Sequence, residues 1–158
     1  MQQKSPKDPP YEELMRKALT LLSRRRYTVL KLKKKLVEYS KEEHPAEIQR
    51  VLARLKELRY LDDTEYAKDY ISSRVELRPR GKFLIKRELR NRGLHPDLAE
   101  RVAEETYPED EIEVAKRALQ SKMKHLQKET PQKQREKAIR FLASRGFSID
   151  TIYKAINI

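Results

Sequence analysis

Leu89-Arg90-Asn91-Arg92-Gly93-Leu94 returns, with its pattern kept, as Leu142-Ala143-Ser144-Arg145-Gly146-Phe147. The interval is 53 residues, and the same interval leads back from Leu89 to Leu36. A second register, Ala18, Ala67 and Ala115, runs at spacings of 49 and 48. A module of about 50 residues is therefore written three times, and a fixed period of this size marks a repeat array whose units bury their apolar faces partly against one another. Apolar positions inside each module recur at three- and four-residue steps, so the modules are helical. The expected fold is all-α: an elongated array of three tandem three-helix (helix-turn-helix-like) repeats, about nine helices in all. The repeats are expected over residues 11–60, 61–107 and 108–158, behind a flexible segment 1–10.

Local signals place the helix ends. Asp8 followed by Pro9 and Pro10 reads as a cap with proline in the first turn. Leu14, Ala18, Leu21 and Leu22 form the first stripe, and Arg24-Arg25-Arg26 stands at its carbonyl end, where cations are favoured. Thr28 caps a second helix built on Leu32 and Leu36. Past Pro45, a third helix turns Ile48, Val51, Leu52, Leu55 and Leu58 inward. In the second module Asp62-Asp63-Thr64-Glu65 is a capping-box-like start for the stripe Tyr66, Ala67, Tyr70, Ile71 and Val75. Pro79 and Gly81 break that helix. The next carries Leu84, Ile85 and Leu89 and stops at Gly93 in a left-handed conformation; Pro96 opens another with Leu98, Ala99 and Val102. The third module starts at Glu109-Asp110-Glu111, with Ile112, Ala115, Leu119, Met123 and Leu126 inward. Thr130-Pro131 begins a helix with Ala138, Phe141 and Leu142 that Gly146 ends, and Ser148 caps the last, with Ile149, Ile152 and Ile156 inward.

Composition narrows the function classes. A net charge of +12 predicts an anionic partner: nucleic acid, an acidic protein surface or an acidic membrane. With 39% charged residues and no Trp, a large enzymatic interior is hard to furnish. The absence of Cys agrees with a reducing compartment, and neither a signal peptide nor an apolar run of membrane length is legible. The expectation is a soluble, cytoplasmic protein.

The charge is concentrated on the second helix of each module. Residues 28–39 carry Lys31, Lys33, Lys34 and Lys35 against Glu38; residues 80–92 carry Arg80, Lys82, Lys86, Arg87, Arg90 and Arg92 against Glu88. Residues 131–145 carry Lys133, Arg135, Lys137, Arg140 and Arg145 against Glu136. The third helices differ, and 94–109 presents Asp97, Glu100, Glu104 and Glu105. A helix entering the major groove cannot be acidic, so that copy is no base reader, and the second helices form the better stripe for phosphates or acidic side chains. The plainer alternative is that these cations only solvate an outer face.

Enzymatic chemistry finds no footing in these residues. Three Gly cannot build a phosphate-cradling loop, and His44, His95 and His125 lack metal-ligand spacing. Asp62, Asp63 and Glu65 could be drawn as a Mg²⁺ cluster, but their place at a helix head reads as capping. Glu113 and Lys116 faintly evoke a nuclease pair, but that pair sits on a strand and these lie on a helix. The chain reads as a non-enzyme without cofactor or metal.

Taken together, Ala18-Leu19-Thr20-Leu21-Leu22-Ser23-Arg24-Arg25, Leu32-Lys33-Lys34-Lys35-Leu36, Tyr60-Leu61-Asp62-Asp63 with Tyr66-Ala67, Arg87-Glu88-Leu89 with Gly93, and Arg140-Phe141-Leu142-Ala143-Ser144-Arg145-Gly146-Phe147-Ser148 resemble RecX, the bacterial regulator of RecA recombinase. The likeness runs from about residue 12 to the end of the sequence. It implies three tandem three-helix repeats in a curved array. It also implies a protein that lodges in the groove of the RecA–DNA filament, opposes ATP hydrolysis and strand exchange, and has some direct affinity for DNA; the expected state is a monomer. No membrane is involved. The residues expected at such a contact are Arg24, Arg25, Arg26, Lys31, Lys34 and Lys35, with Arg80, Lys82, Lys86, Arg87 and Arg90 from the second module. A stand-alone module that binds nucleic acid through phosphates is the alternative.

Three positions depart from the family pattern. Arg59 stands where Gly is usual, at a cost of about 1 kcal/mol if that residue must be left-handed. Lys31 replaces the acidic residue expected three after Thr28, placing a cation at a helix N-terminus against the dipole. Lys82 replaces a Pro and adds to the basic stripe.

Overall fold

The computed structural model describes residues 10–157; Asp8, Pro9 and the rest of the N-terminal segment before Pro10 lie outside them. The described residues form nine α-helices and no strand. They are α1 (Pro10–Leu22), α2 (Val29–Tyr39), α3 (Pro45–Glu57), α4 (Asp63–Glu76), α5 (Lys82–Asn91), α6 (Pro96–Thr106), α7 (Glu111–Leu126), α8 (Pro131–Ser144) and α9 (Ile149–Ile156). No described helix is long and apolar enough to cross a membrane. The chain divides into two compact units: residues up to Tyr66 with Arg92–Leu94, and Ala67–Asn91 with the residues from His95 onward.

In the first unit α1, α2 and α3 pack on one another around Leu14, Ala18, Leu32, Leu36, Ile48, Val51, Leu52 and Leu55. Tyr27 and Leu61, from the turns after α1 and α3, close this core. The spacing of these residues puts them on one side of each helix, and burying each large side chain contributes roughly 1.5–3 kcal/mol. α2 has two caps. The Thr28 hydroxyl accepts the Lys31 N–H (3.2 Å) and donates to the Arg92 carbonyl (2.6 Å). The Asp63 carboxylate, 34 residues away in sequence, accepts the Val29 N–H at 2.9 Å. Lys31 at this helix head therefore does not leave it without a negative partner. Asp62 meanwhile caps α4 by accepting the Glu65 N–H (3.1 Å), the start expected there.

The second unit repeats that joint with different residues. Gly81 N–H donates to the Arg145 carbonyl (2.8 Å), and Glu111 accepts the Lys82 N–H (2.9 Å) with one carboxylate oxygen and the Thr151 hydroxyl (3.2 Å) with the other. Thr28 and Gly81, Val29 and Lys82, Arg92 and Arg145, and Gly93 and Gly146 are all 53 residues apart. A Cβ on Gly81 would lie 2.2 Å from the Gly146 carbonyl oxygen, so the two backbones meet only because no side chain intervenes. In this unit α5 packs on α6, and α7, α8 and α9 pack on one another. The core includes Ile71, Ile85, Leu89, Val102, Val114, Leu142, Phe147 and Ile152.

Gly93 and Gly146 adopt left-handed conformations (φ 97° and 82°) as the helix-stop reading expects. Arg59 does so too, at φ 60°. Its N–H donates to the Lys56 carbonyl while the Tyr60 N–H reaches back to Leu55, and Gly146 with Phe147 makes the matching bonds to Ala143 and Leu142. These are Schellman closures, and in α3 an arginine occupies the glycine position.

Some inward assignments are corrected. Leu58 is 45% exposed, because α3 ends at Glu57 and Leu58 lies beyond its last buried turn. Ile149 is 74% exposed, because the buried side of α9 runs through Thr151, Ile152 and Ala155, away from it. On α7 the buried positions are Val114, Ala115, Ala118 and Leu126; Leu119 and Met123 instead border an open groove.

Two substitutions test the joints. Arg59→Gly relieves a left-handed side chain, and after the entropy glycine adds to the unfolded chain it is expected to stabilise by about 0.5–1 kcal/mol, raising Tm by about 1–4 °C. Asp63→Ala removes the remote cap of α2 and is expected to destabilise by about 1–2 kcal/mol. Thermal and urea unfolding followed by circular dichroism measures both, and a stabilised Asp63→Ala protein would contradict the capping role.

Candidate anion-binding surface

The expected contact residues of the first unit lie on two elements. Arg24, Arg25 and Arg26 are all exposed in the turn between α1 and α2, and the Arg25 guanidinium lies 4.6 Å from the centre of the Tyr27 ring. Lys31, Lys34 and Lys35 are exposed on α2 at three- and four-residue steps, so they share one face. Lys35 approaches Glu38 at 3.9 Å, a loose surface pair.

The cations of α5 divide into two groups. Arg80 is inward, its side chain only 18% exposed, and is bound by Glu88, whose other oxygen accepts the Tyr70 hydroxyl (2.6 Å). The Arg80 carbonyl in turn accepts the hydroxyl of buried Tyr107 (2.8 Å). Lys86, 15% exposed, bridges Glu100 (2.7 Å) and Glu104 (2.6 Å) on α6, and Lys82 reaches Glu104 at 3.0 Å. The acidity of α6 thus serves α5. These three cations are engaged within the unit, while Arg87 and Arg90 stay exposed on α5 and form no ion pair among the described residues.

One position gathers what remains. Lys34 on α2, Arg87 on α5 and Arg140 on α8 are 53 residues apart, all exposed, and none has an ion pair among the described residues. The middle of the second helix therefore presents an uncommitted cation in each repeat. On α8 other cations are engaged: Lys137 pairs with Glu129, the Arg135 guanidinium reaches the Asn157 side chain (3.1 Å), and the Arg145 guanidinium lies 5.2 Å from the Phe141 ring centre. Sequence reading named Lys34 and Arg87 among the contacts and noted Arg140 only as part of the basic third copy; the 53-residue register was the signal that joins them.

Electrostatics separates the paired from the unpaired. Hydrogen bonds from Lys86 and Lys82 pull the Glu104 carboxyl below its ordinary 4.5, to about 2. Burial works against the Lys86 charge, yet its bonds to Glu100 and Glu104 outweigh it and hold the ammonium above its ordinary range. No group of three or more His, Cys, Asp or Glu among the described residues could hold a metal ion.

Residues 109–156 match the family model for the third three-helix domain of RecX, and residues 62–102 match the model for the second. The chain is 35% identical over 140 residues to the regulatory protein RecX of Vibrio parahaemolyticus, covering 89% of this chain and 87% of that one. It is 30% identical over 147 residues to RecX of Neisseria gonorrhoeae, covering 93% and 91%. Against RecX of Leuconostoc mesenteroides it is 32% identical over 133 residues, 84% of this chain but 49% of that longer protein. Two crystal structures share the fold: RecX from Lactobacillus salivarius, with a TM-score of 0.78 at 22% identity over 94% of this chain and 95% of the other, and a regulatory protein RecX with a TM-score of 0.79 at 20% identity over 94% and 74%.

The α5–α6 ion pairs predict a pH dependence. Glu104 has a folded value below its unfolded one, so its contribution to stability is present above about pH 4.5 and is lost as pH falls through about 2. The Tm difference between the unaltered protein and Glu104→Gln is expected to be full at neutral pH and to vanish on acidification through that window. A difference that stays constant down to pH 2 would show the pairs carry no stability.

Proposed function

The chain belongs to the RecX family, and on that footing we propose that it is a non-enzymatic modulator of RecA recombinase that binds along the groove of the RecA–DNA filament and suppresses ATP hydrolysis and strand exchange. It acts by occupancy. A body lodged across neighbouring protomers hinders the subunit movements that turnover requires and blocks admission of a second duplex. The observation that carries the reading, beside the family, is the recurrent uncommitted cation: Lys34, Arg87 and Arg140 sit at one register of three successive second helices. A cation that recurs once per repeat in sequence is the pattern expected for a long, regularly repeating anionic partner. Arg24, Arg25, Arg26, Lys31, Lys35 and Arg90 extend the surface, whereas Arg80, Lys82 and Lys86 contribute as its scaffold. Regulation of this kind is set in the cytoplasm, with the protein acting as a monomer of three repeats.

The exposed cations also favour a second reading, a module that binds nucleic acid unaided. It predicts that affinity for bare DNA falls about 10³-fold or more between 50 and 200 mM salt if six or more phosphates are engaged.

RecA ATPase on single-stranded DNA tests the first reading. Turnover is expected to be suppressed at sub-stoichiometric to near-stoichiometric protein, and the triple substitution Lys34→Glu, Arg87→Glu, Arg140→Glu is expected to relieve suppression about tenfold or more in the concentration required. Unchanged turnover at saturating protein would refute modulation; equal potency of the triple variant would move the contact elsewhere.

A further inference from the structure

The first unit carries an arrangement that the second-helix cations do not explain. The turns that follow α1 and α3 frame a cleft of about 400 Å³, within the ~300–1,000 Å³ typical of small-ligand pockets. Three tyrosines border it, Tyr27, Tyr60 and Tyr66, together with Arg26, Arg59 and the carboxylates of Asp62 and Glu65. Tyr60 is 59% exposed, although its neighbour Leu61 is fully engaged in the core. It follows the left-handed Arg59, a conformation that glycine would adopt without strain, so the turn accepts backbone strain to keep an arginine in the lining next in sequence to a solvent-facing ring. The other two rings are already held. Tyr27 is buried beneath the Arg25 guanidinium, and the Tyr66 hydroxyl accepts a hydrogen bond from Arg92 (3.0 Å).

We propose that this cleft binds an unstacked nucleobase of single-stranded nucleic acid, with Tyr60 as its stacking platform. Exposed aromatic rings and guanidinium planes are the surfaces on which splayed-out bases stack, and the contact tolerates any sequence because every base has a π-face. The carboxylates settle which part of the strand enters. Arg26 and Arg59 balance Asp62 and Glu65 in the lining, so the cleft holds no net positive charge for a phosphate and suits the neutral base, whose exocyclic amino group, in cytosine, adenine or guanine, donates to the Asp62 carboxylate. The backbone of the same strand falls on a cationic rim: Arg24 and Arg25, both exposed, directly precede the lining residue Arg26 in the turn after α1. Duplex DNA does not satisfy this geometry, because its bases remain stacked. Its lining includes none of Lys34, Arg87 and Arg140, and the proposal does not depend on the filament reading.

Fluorescence anisotropy on the full chain without any recombinase tests it, with labelled cytosine oligonucleotides of about a dozen nucleotides and abasic strands carrying the same number of phosphates. The unaltered protein is expected to bind the cytosine strand more tightly than the abasic one. Tyr60→Ala is expected to weaken the cytosine strand roughly five- to one-hundred-fold, leave the abasic strand unchanged, and keep the slope of affinity against salt, because no phosphate contact is lost. Tyr60→Phe keeps the affinity. The sequence has no Trp, so Tyr60→Trp places a single indole at the platform, and its emission should be quenched by the cytosine strand but not by the abasic one. Equal affinity for the two strands, or an equal loss on both with Tyr60→Ala, overturns the proposal. So does a Tyr60→Ala protein that binds oligonucleotides normally but associates poorly with the recombinase filament, which would make the cleft a socket for a protein side chain.

Discussion

A backbone N–H at the head of one helix, met by a carboxylate from the head of another, is the interaction on which both units rest. Asp63 does this for Val29 in the first unit and Glu111 for Lys82 in the second. In each case the residue just before that N–H donates to the carbonyl of an arginine that precedes a left-handed glycine, Thr28 to Arg92 and Gly81 to Arg145. Helix heads and tails carry unpaired donors and acceptors that are costly to bury without partners. The chain removes that cost by joining a head, a tail and a second head. Asp63 has a raised pKa, chiefly because burial disfavours its charge, with the Val29 bond opposing the shift. Its carboxylate is held in place by the backbone it serves, not by exposure to solvent.

The joint explains residues that otherwise look ill chosen. A lysine at the head of α2 opposes the helix dipole, but the Asp63 carboxylate lies beside the same terminus and compensates. At the corresponding place on α5, Lys82 contributes a backbone donor to Glu111 and an ammonium to Glu104. A proline there would supply no donor to this cap. The negative charge of α6 has the same logic: a basic helix packed on a neutral one would expose Lys82 and Lys86 to each other without relief, whereas Glu100 and Glu104 pair them.

Much of this was legible in residue order. The 53-residue register identified the glycine stops at Gly93 and Gly146, and short-range signals located the heads of α2, α8 and α9 at Thr28, Thr130 and Ser148, whose side chains each accept a backbone N–H, while the acidic run Glu109-Asp110-Glu111 marked the start of α7 without singling out Asp110 as its cap. Those signals are local, so they need no knowledge of packing. What sequence could not supply was partner choice over distance. Nothing in the order of residues distinguishes Asp62, which caps its own helix, from Asp63, which caps another 34 residues back. The same holds for Arg80, Lys82 and Lys86 against Arg87 and Arg90: all are cations on or beside one short helix, and only the positions of Glu88, Glu100 and Glu104 separate scaffold from surface. Ile149 went astray for a related reason, since an eight-residue helix offers too few turns to fix its buried side from spacing alone.

That separation bears on how the surface can work. A cation already paired with a carboxylate must lose that partner before it can gain a phosphate, so its net contribution to a polyanion contact is small. A cation left alone at a repeated register contributes in full, and repetition matters more than number when the partner itself repeats. Lys34, Arg87 and Arg140 meet that condition, while the larger count on α5 does not. The net charge of +12 already subtracts the carboxylates that pair with these cations, so it does not by itself distinguish the paired cations from the unpaired ones.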